Sequence, residues 1–470
     1  MGLRSLDKKG SKMKKNTRPV NTVLMHLHLD EVMAYYIAYT LGVHYFDGIK
    51  TAKVEFTSKV PHQTIDQWIA QKTLSLGAGG DVDEHRNGKV ARAGETCATV
   101  IMADMLTLQN GPIWDMIREV NRFDGDTGCP KSHLASLLKA MKISKKGFDQ
   151  AALRWAMKVL AAVQTKLEKN LQAPTDEKPF LTFVKGVVKS KITVFTDPDA
   201  LQGLYRLLEV EAKRQDGLLF GLRNVYESLW RTACSADERA NVTDHMLFAL
   251  DVLYKDQTCY HTYARYINSL GPKTGKAGAN VWFTIDVSDG TNTTVIDAAA
   301  VKTDNPQAHT VLRSNGAVVS IVVNSLGNVT IQGDKRYARG EWLCDALDNG
   351  IADFCAMNRF GDMTPKARMR AVWSILRSRG HCPGDEHWYL ADEGWLALFN
   401  GTHNHQCPPT TLSLVQLRKN ATNAFNPMHV NGWKNFMRVP KVDTTMELGL
   451  AEQKGLSLLE AALDQPGQRV

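Results

Sequence analysis

Four potential metal ligands fall within six residues in the stretch His26-Leu27-His28-Leu29-Asp30-Glu31. Imidazole nitrogen and carboxylate oxygen together suit divalent ions such as manganese or magnesium. The stretch begins where an apolar, β-branched run, Thr22–Leu27, gives way to Asp30–Leu41, whose apolar residues recur at helical spacing. This pattern predicts a strand, a turn and a helix. In a parallel sheet, ligands gather beyond the carboxyl ends of the strands. A strand period of two would also place His26 and His28 on one face. The plainer alternative is a turn capped by Asp30 with two incidental histidines.

A second group follows the short run Thr73–Leu76. It reads Gly77-Ala78-Gly79-Gly80-Asp81-Val82-Asp83-Glu84-His85-Arg86. Glycines without side chains allow close backbone approach to a ligand, and Asp83, Glu84 and His85 supply donors at once. A solvated acidic turn would look the same. A third group, Asp124 and Asp126, stands at the end of a helical stretch and could close a metal site or merely end the helix. Further along, His381, Cys382, His387, His403, His405 and Cys407 are of the types zinc prefers, although their spacing matches no standard finger.

The elements that must position these groups suggest an α/β fold. Residues 20–130 alternate short β-rich runs with helical ones, as a doubly wound parallel sheet does. From 131 to 270 strand signals nearly vanish, which predicts a helical insertion; Lys145–Leu171 is its clearest amphipathic segment. Strand patterns return at Val281–Val287, Thr294–Ala298, Ala317–Val323 and Val329–Gln332, so residues 280–425 read as a second, smaller α/β domain. Thr364, Pro365 and Gly380 punctuate a helix over Pro365–Arg379, and Trp388–Phe399 reads as a hairpin. Residues 426–470 look peripheral.

The 470 residues carry a formal net charge of +8, unevenly spread. Residues 1–19 hold seven Lys/Arg against Asp7 alone and read as a disordered basic tail; residues 131–191 hold thirteen against four acids. A mildly acidic body with two basic segments remains, unlike a uniformly basic nucleic-acid coat. No apolar run reaches the roughly 18 residues that a membrane helix needs. The tail lacks the apolar stretch of a secretory signal, and the eight dispersed cysteines contain no CxxC pair. Reduced thiols in a cytoplasmic protein are the expectation.

Taken together, His26 and Asp30 after the first strand, the triplet Asp83-Glu84-His85 and the downstream Asp124 resemble the DHH phosphoesterase superfamily. The stretch His28-Leu29-Asp30-Glu31-Val32-Met33-Ala34 is especially similar to an element of the melanocyte-proliferating-gene exonucleases within it, and Cys97-Ala98-Thr99 is similar to their small-residue helix start. Val32 stands where the family has a further Asp, so Glu31 or His28 would substitute. Glu84 replaces the middle His of the triplet, and Asp81 is the nearest candidate for a bridging carboxylate. The resemblance implies two divalent ions, Mn2+ or Mg2+, sharing an activated water. His26, His28, Asp30, Glu31, Asp83, His85 and Asp124 would form the metal set, and Asp83, His85 and Arg86 the catalytic one. Arg359, Arg368, Arg377 and Arg379 could meet phosphate, or form a solvated helix face. An Asp348-Asn349-Gly350 element resembles one in the exonucleases but lies later in this chain.

The implied activity is hydrolysis of phosphodiester bonds in nucleic acid or oligonucleotides, the basic segment 131–191 attracting the polyanion. Two other readings stand beside it. One is a degenerate DHH-like domain that binds nucleic acid or nucleotide without catalysis. The other is an amidohydrolase-like metallohydrolase, since HxH after a first strand also resembles that barrel; eight βα units would then be required.

Overall fold

The computed structural model describes residues 17–57, 63–83, 97–108, 110–124, 129–144, 147–191, 193–270, 273, 280–334, 341–362, 373–377, 380–382, 385–390, 398–400, 410 and 412–426. The chain is mixed α/β and divides into two units, Met1–Thr258 and Cys259–Val470.

In the first unit, β1 (Arg18–Pro19) pairs in parallel with β3 (Phe46–Asp47). Strands β2 (Thr22–Met25), β4 (Lys53–Phe56) and β5 (Thr73–Leu76) form a parallel sheet in the order β4-β2-β5. The register sets Met25 beside both Phe56 and Leu76, so the three strands end level. Parallel neighbours require crossovers. Helix α1 (Leu29–Thr40) supplies the first and is buried from Leu29 to Ala38. Helix α2 (Ile65–Ala70) lies in the second and starts on a capping box of Thr64 and Gln67.

The rest of this unit is helical: α3 (Ala98–Met105), α4 (Pro112–Asp124), α5 (Leu134–Ser144), α6 (Asp149–Lys169), α7 (Phe180–Ser190), α8 (Pro198–Lys213), α9 (Leu222–Thr232) and the start of α10 (Ala236–Ser269). Their apolar stripes do not form a core of their own. Met116, Leu160, Val225 and Leu250 join Val23, Met25, Val32 and Ile37 in one cluster. Sequence suggested boundaries near residues 130 and 270; the two units divide at Thr258/Cys259, inside α10. The tail reading to residue 19 needs correction at its end. Arg18 is buried, ion-paired with Asp81, and donates through Nη2 to the Thr73 carbonyl at 2.8 Å.

The second unit carries a seven-stranded sheet in the order β10-β11-β12-β9-β8-β7-β6. Its strands are β6 (Trp282–Ser288), β7 (Thr293–Lys302), β8 (Val319–Val323), β9 (Val329–Gly333), β10 (Gly380–Cys382), β11 (Asp385–Leu390) and β12 (Leu398–Asn400). All pairs are antiparallel except β7 with β8, which α11 (Ala308–Ser314) connects. Both faces are covered. On β7, Ala298 and Ala300 join a cluster with α12 (Glu341–Asp362) and α14 (Leu414–Ala424), whereas Ala299 and Val301 join one with α10 and α11. The short α13 (Trp373–Leu376) lies between α12 and β10.

The helix reading over Pro365–Arg379 falls mostly outside the described residues, as does the tip of the 388–399 hairpin. Its arms pair as β11 and β12, Leu390 beside Leu398. Among the described residues, no helix is long and apolar enough to cross a membrane.

Candidate metal centre

The level strand ends put three loop starts side by side: His26 after Met25, Thr57 after Phe56 and Gly77 after Leu76. Strand β2 stops at Met25, two residues short of the expected end, because the chain must turn to begin α1. His28 is the N-cap of that helix, and Asp30 and Glu31 occupy its first turn, where the helix dipole favours negative charge.

His28, Asp30 and Glu31 each present a ligand atom, all within 4.8 Å of one another. The two acids are 2% and 3% exposed, whereas the His28 side chain is 45% exposed, so the group opens to solvent on the histidine side. His28 Nδ1 lies 3.7 Å from Glu31 Oε2, beyond hydrogen-bonding distance but within Coulombic reach. His26 and His28 do come together, with ring centroids 5.9 Å apart and planes inclined by 24°. The cause is the loop and helix cap, not the strand pleat that the sequence suggested. His26 Nδ1 donates to the Thr57 carbonyl at 2.7 Å, which makes Nε2 the acceptor nitrogen of the ring. Metal-binding histidines are commonly fixed by such a second hydrogen bond.

The glycine-rich turn serves the carboxylates. Gly77 has φ +63°, and a Cβ there would stand 2.3 Å from Glu31 Oε1. Glu31 therefore occupies the space that a side chain at 77 would fill. Val82 bridges back to Leu76, and Gly77 N–H donates to its carbonyl at 2.8 Å. That return places Asp83 at the end of β5, 2% exposed, accepting from the Gly79 N–H. Asp124 is the exposed last residue of α4, and it and Asp30 both act electrostatically on the Cys97 thiol, which burial and these two charges push far up. Cys97 is the N-cap of α3, and Thr99 Oγ1 donates to the Asp30 carbonyl at 2.6 Å, tying α3 to the start of α1.

Several expected roles change. Asp81 is the ion-pair partner of Arg18. Val32, at the position of the family's further Asp, is fully buried among apolar side chains, where a carboxylate would be costly. Arg359 is neither a phosphate ligand nor a solvated residue: it is fully buried and donates to the carbonyls of Leu376 and Trp388. Arg377 pairs with Asp353 and donates to Asn349. The Asp348-Asn349-Gly350 element lies within α12, where a Cβ on Gly350 would meet the Phe425 ring at 2.1 Å, so its glycine serves packing. Glu84, His85, Arg86, Asp126, Arg368, Arg379, His403, His405 and Cys407 lie outside the described residues. His381, Cys382 and His387 lie on the paired strands β10 and β11.

Sequence reading did not single out the pair His133–Glu119. Its signal was weak: one histidine preceding a helix and one glutamate fourteen residues earlier.

No family model and no curated protein matches the chain. A solved structure, that of an uncharacterized protein from Helicobacter pylori G27, aligns with 86% of this chain and 99% of its own at 12% identity, with a TM-score of 0.21.

Proposed function

We propose that the chain is a divalent-metal-dependent phosphodiesterase acting on nucleic acid or oligonucleotides. The observation that carries this reading is the convergence of His28, Asp30 and Glu31 within 4.8 Å at the carboxyl edge of a parallel sheet. Two adjacent carboxylates that are almost fully buried repel one another and lose hydration, which a bound cation would offset. The donor set, one imidazole and two carboxylates, suits Mn2+ or Mg2+.

A cation held there supplies Lewis acidity, lowering the pKa of a water and polarising a phosphoryl oxygen. Gly77 seats Glu31, the Thr57 carbonyl orients His26, and the Gly79 N–H holds Asp83 in place. His28, Asp30 and Glu31 suffice for one ion. A second ion would draw on Asp83, with His26 and His85.

The non-catalytic alternative gains from one observation: Asp81, the nearest candidate for a bridging carboxylate, is held by Arg18. The amidohydrolase-like alternative fares worse, because the parallel sheet at this edge has three strands among the described residues instead of eight.

The test is Mn2+-supplemented turnover of labelled single-stranded RNA, single-stranded DNA and cyclic dinucleotides, with Mn2+ binding measured by calorimetry. Hydrolysis that is lost in Asp30→Asn supports the proposal. Mn2+ binding without hydrolysis of any of the three substrates selects the non-catalytic reading. Turnover that survives Asp30→Asn overturns the site.

A further inference from the structure

A second cluster in the first unit lies at the start of α5. His133 is fully buried between the rings of Phe123 and Phe220, with centroids 4.6 and 6.1 Å away. Its Nε2 donates to Glu119 Oε1 at 3.0 Å. Glu119 is itself fixed, since it accepts the backbone N–H groups of Leu219 and Phe220 at 2.7 Å each. Main-chain bonds hold the segment as well: Leu134 N–H donates to Phe220, and Leu222 N–H to Ser132. The partly exposed Cys129 accepts from Ser136 Oγ at 3.4 Å, donates to the Pro130 carbonyl at 3.8 Å, and is close enough to His133 for the two to act on each other electrostatically.

These groups have the logic of an activated nucleophile: thiol, base and a carboxylate that orients the base. With Nε2 committed to Glu119, Nδ1 is the ring atom left to take the thiol proton. It also accepts from Ala135 N–H at 3.2 Å, a longer bond that protonation gives up. We propose that Cys129, paired with His133 and Glu119, is a reactive thiolate and a modification site for soft electrophiles, small disulfides in particular. In the exchange, the Cys129 sulfur attacks one sulfur of the disulfide, a new S–S bond forms as the old one breaks, and the departing thiolate takes up a proton. No other reactant is needed.

The electrostatics run the same way. Burial would raise the Cys129 thiol, but its contacts with His133 and Ser136 hold it below the ordinary range. Burial would lower His133, but Cys129 and Glu119 raise it. From α8 and the turn after it, the Arg214 guanidinium also acts on Cys129; Arg214 is paired with Asp216, and the nearby Glu211 is engaged by Ser132 Oγ.

Cys234 gives an internal standard. It is exposed, and its thiol donates to the Thr232 carbonyl at 3.5 Å, much as the Cys129 thiol does to that of Pro130 at 3.8 Å, but among the described residues it has no neighbouring imidazole interaction. Exposure alone would make Cys234 the faster thiol. Each tenfold gain in thiolate is partly offset by lower intrinsic nucleophilicity, leaving about a threefold advantage per tenfold. The experiment treats the full chain with iodoacetamide, and separately with oxidised glutathione, from pH 5.5 to 9, and follows each cysteine by peptide mass spectrometry. At pH 6.5 Cys129 should react faster than Cys234, and the rise of its rate with pH should begin at a lower pH than that of Cys234. Faster reaction of Cys234, or coincident pH profiles for the two thiols, overturns the proposal in the unaltered protein. Ser136→Ala should slow Cys129 modestly, and His133→Asn more. Because His133 is buried, its variant is read only where circular dichroism shows native helix content; an unchanged Cys129 rate in that folded variant also overturns the proposal.

Discussion

The two sheets treat histidine in opposite ways. At the parallel sheet, His26 and His28 stand just past a strand end, one oriented by a carbonyl and the other half in solvent beside two buried acids. At the mixed sheet, His309 lies on α11 against β8, with Nδ1 2.8 Å from Ser320 Oγ and Nε2 buried with no hydrogen-bond partner among the described residues. Burial, and secondarily the Arg313 charge, push His309 down to about 3. The first pair stands at a polar, partly solvated edge, and the second histidine is held neutral inside a packed face. A sheet whose strands end level, with helices starting there, offers a polar rim. Where the second sheet is covered on both faces, around β7 and β8, it offers His309 an interior.

The largest effect expected concerns the rim. Mn2+ at a hundred times its Kd should stabilise the protein by about 2.7 kcal/mol. Asp30→Asn should weaken binding on the order of 100-fold and abolish most of the thermal shift. An Asp30→Asn protein that keeps the full shift would erase the contrast between the two sheets.

Acid sharpens the other side. His309 is neutral when folded down to about pH 3, whereas an unfolded chain protonates it below about 6.5. The fold therefore suffers no penalty from this group above pH 6.5. It loses stability as pH falls from 6.5 toward 3, by about 2 kcal/mol between pH 7 and pH 5. Urea midpoints at the two values, compared with those of His309→Asn, isolate the contribution; equal pH dependence in both proteins would contradict it.

A smaller effect separates the rim's turn from its ligands. Gly77→Ala requires a left-handed alanine and displaces Glu31, so it should cost about 1 kcal/mol and weaken Mn2+ binding about tenfold. Calorimetry and urea unfolding read the two parts. By contrast, Gly350→Ala should leave Mn2+ affinity unchanged and destabilise by overpacking against Phe425.

Local chemistry made part of this legible. The strands Thr73–Leu76 and Val329–Gly333, and the helices α1, α3 and α6, lie within a few residues of where periodicity put them, because their apolar pattern is a property of the chain. The cluster His28, Asp30 and Glu31 was legible for the same reason, being contiguous in sequence. Helix α7 and the 22-residue α12 were not singled out. The latter carries Asp348-Asn349-Gly350, and the glycine that looks like a turn signal is tolerated inside a helix because Phe425 packs against it.

Sequence alone determined that ligand-type residues stand at a strand-to-helix junction, that the chain is mixed α/β, and that its charge is concentrated in two segments. Tertiary structure decided where each acid stands and what it meets. Asp81 and Asp83 are two residues apart and alike in type, yet Arg18, sixty-three residues before Asp81, takes one, while the turn back to β5 brings the other to the rim. Partner choice among like charges depends on distances that only the folded chain defines. The same reason hid Cys129, whose base and orienting carboxylate meet it through α4 and α5.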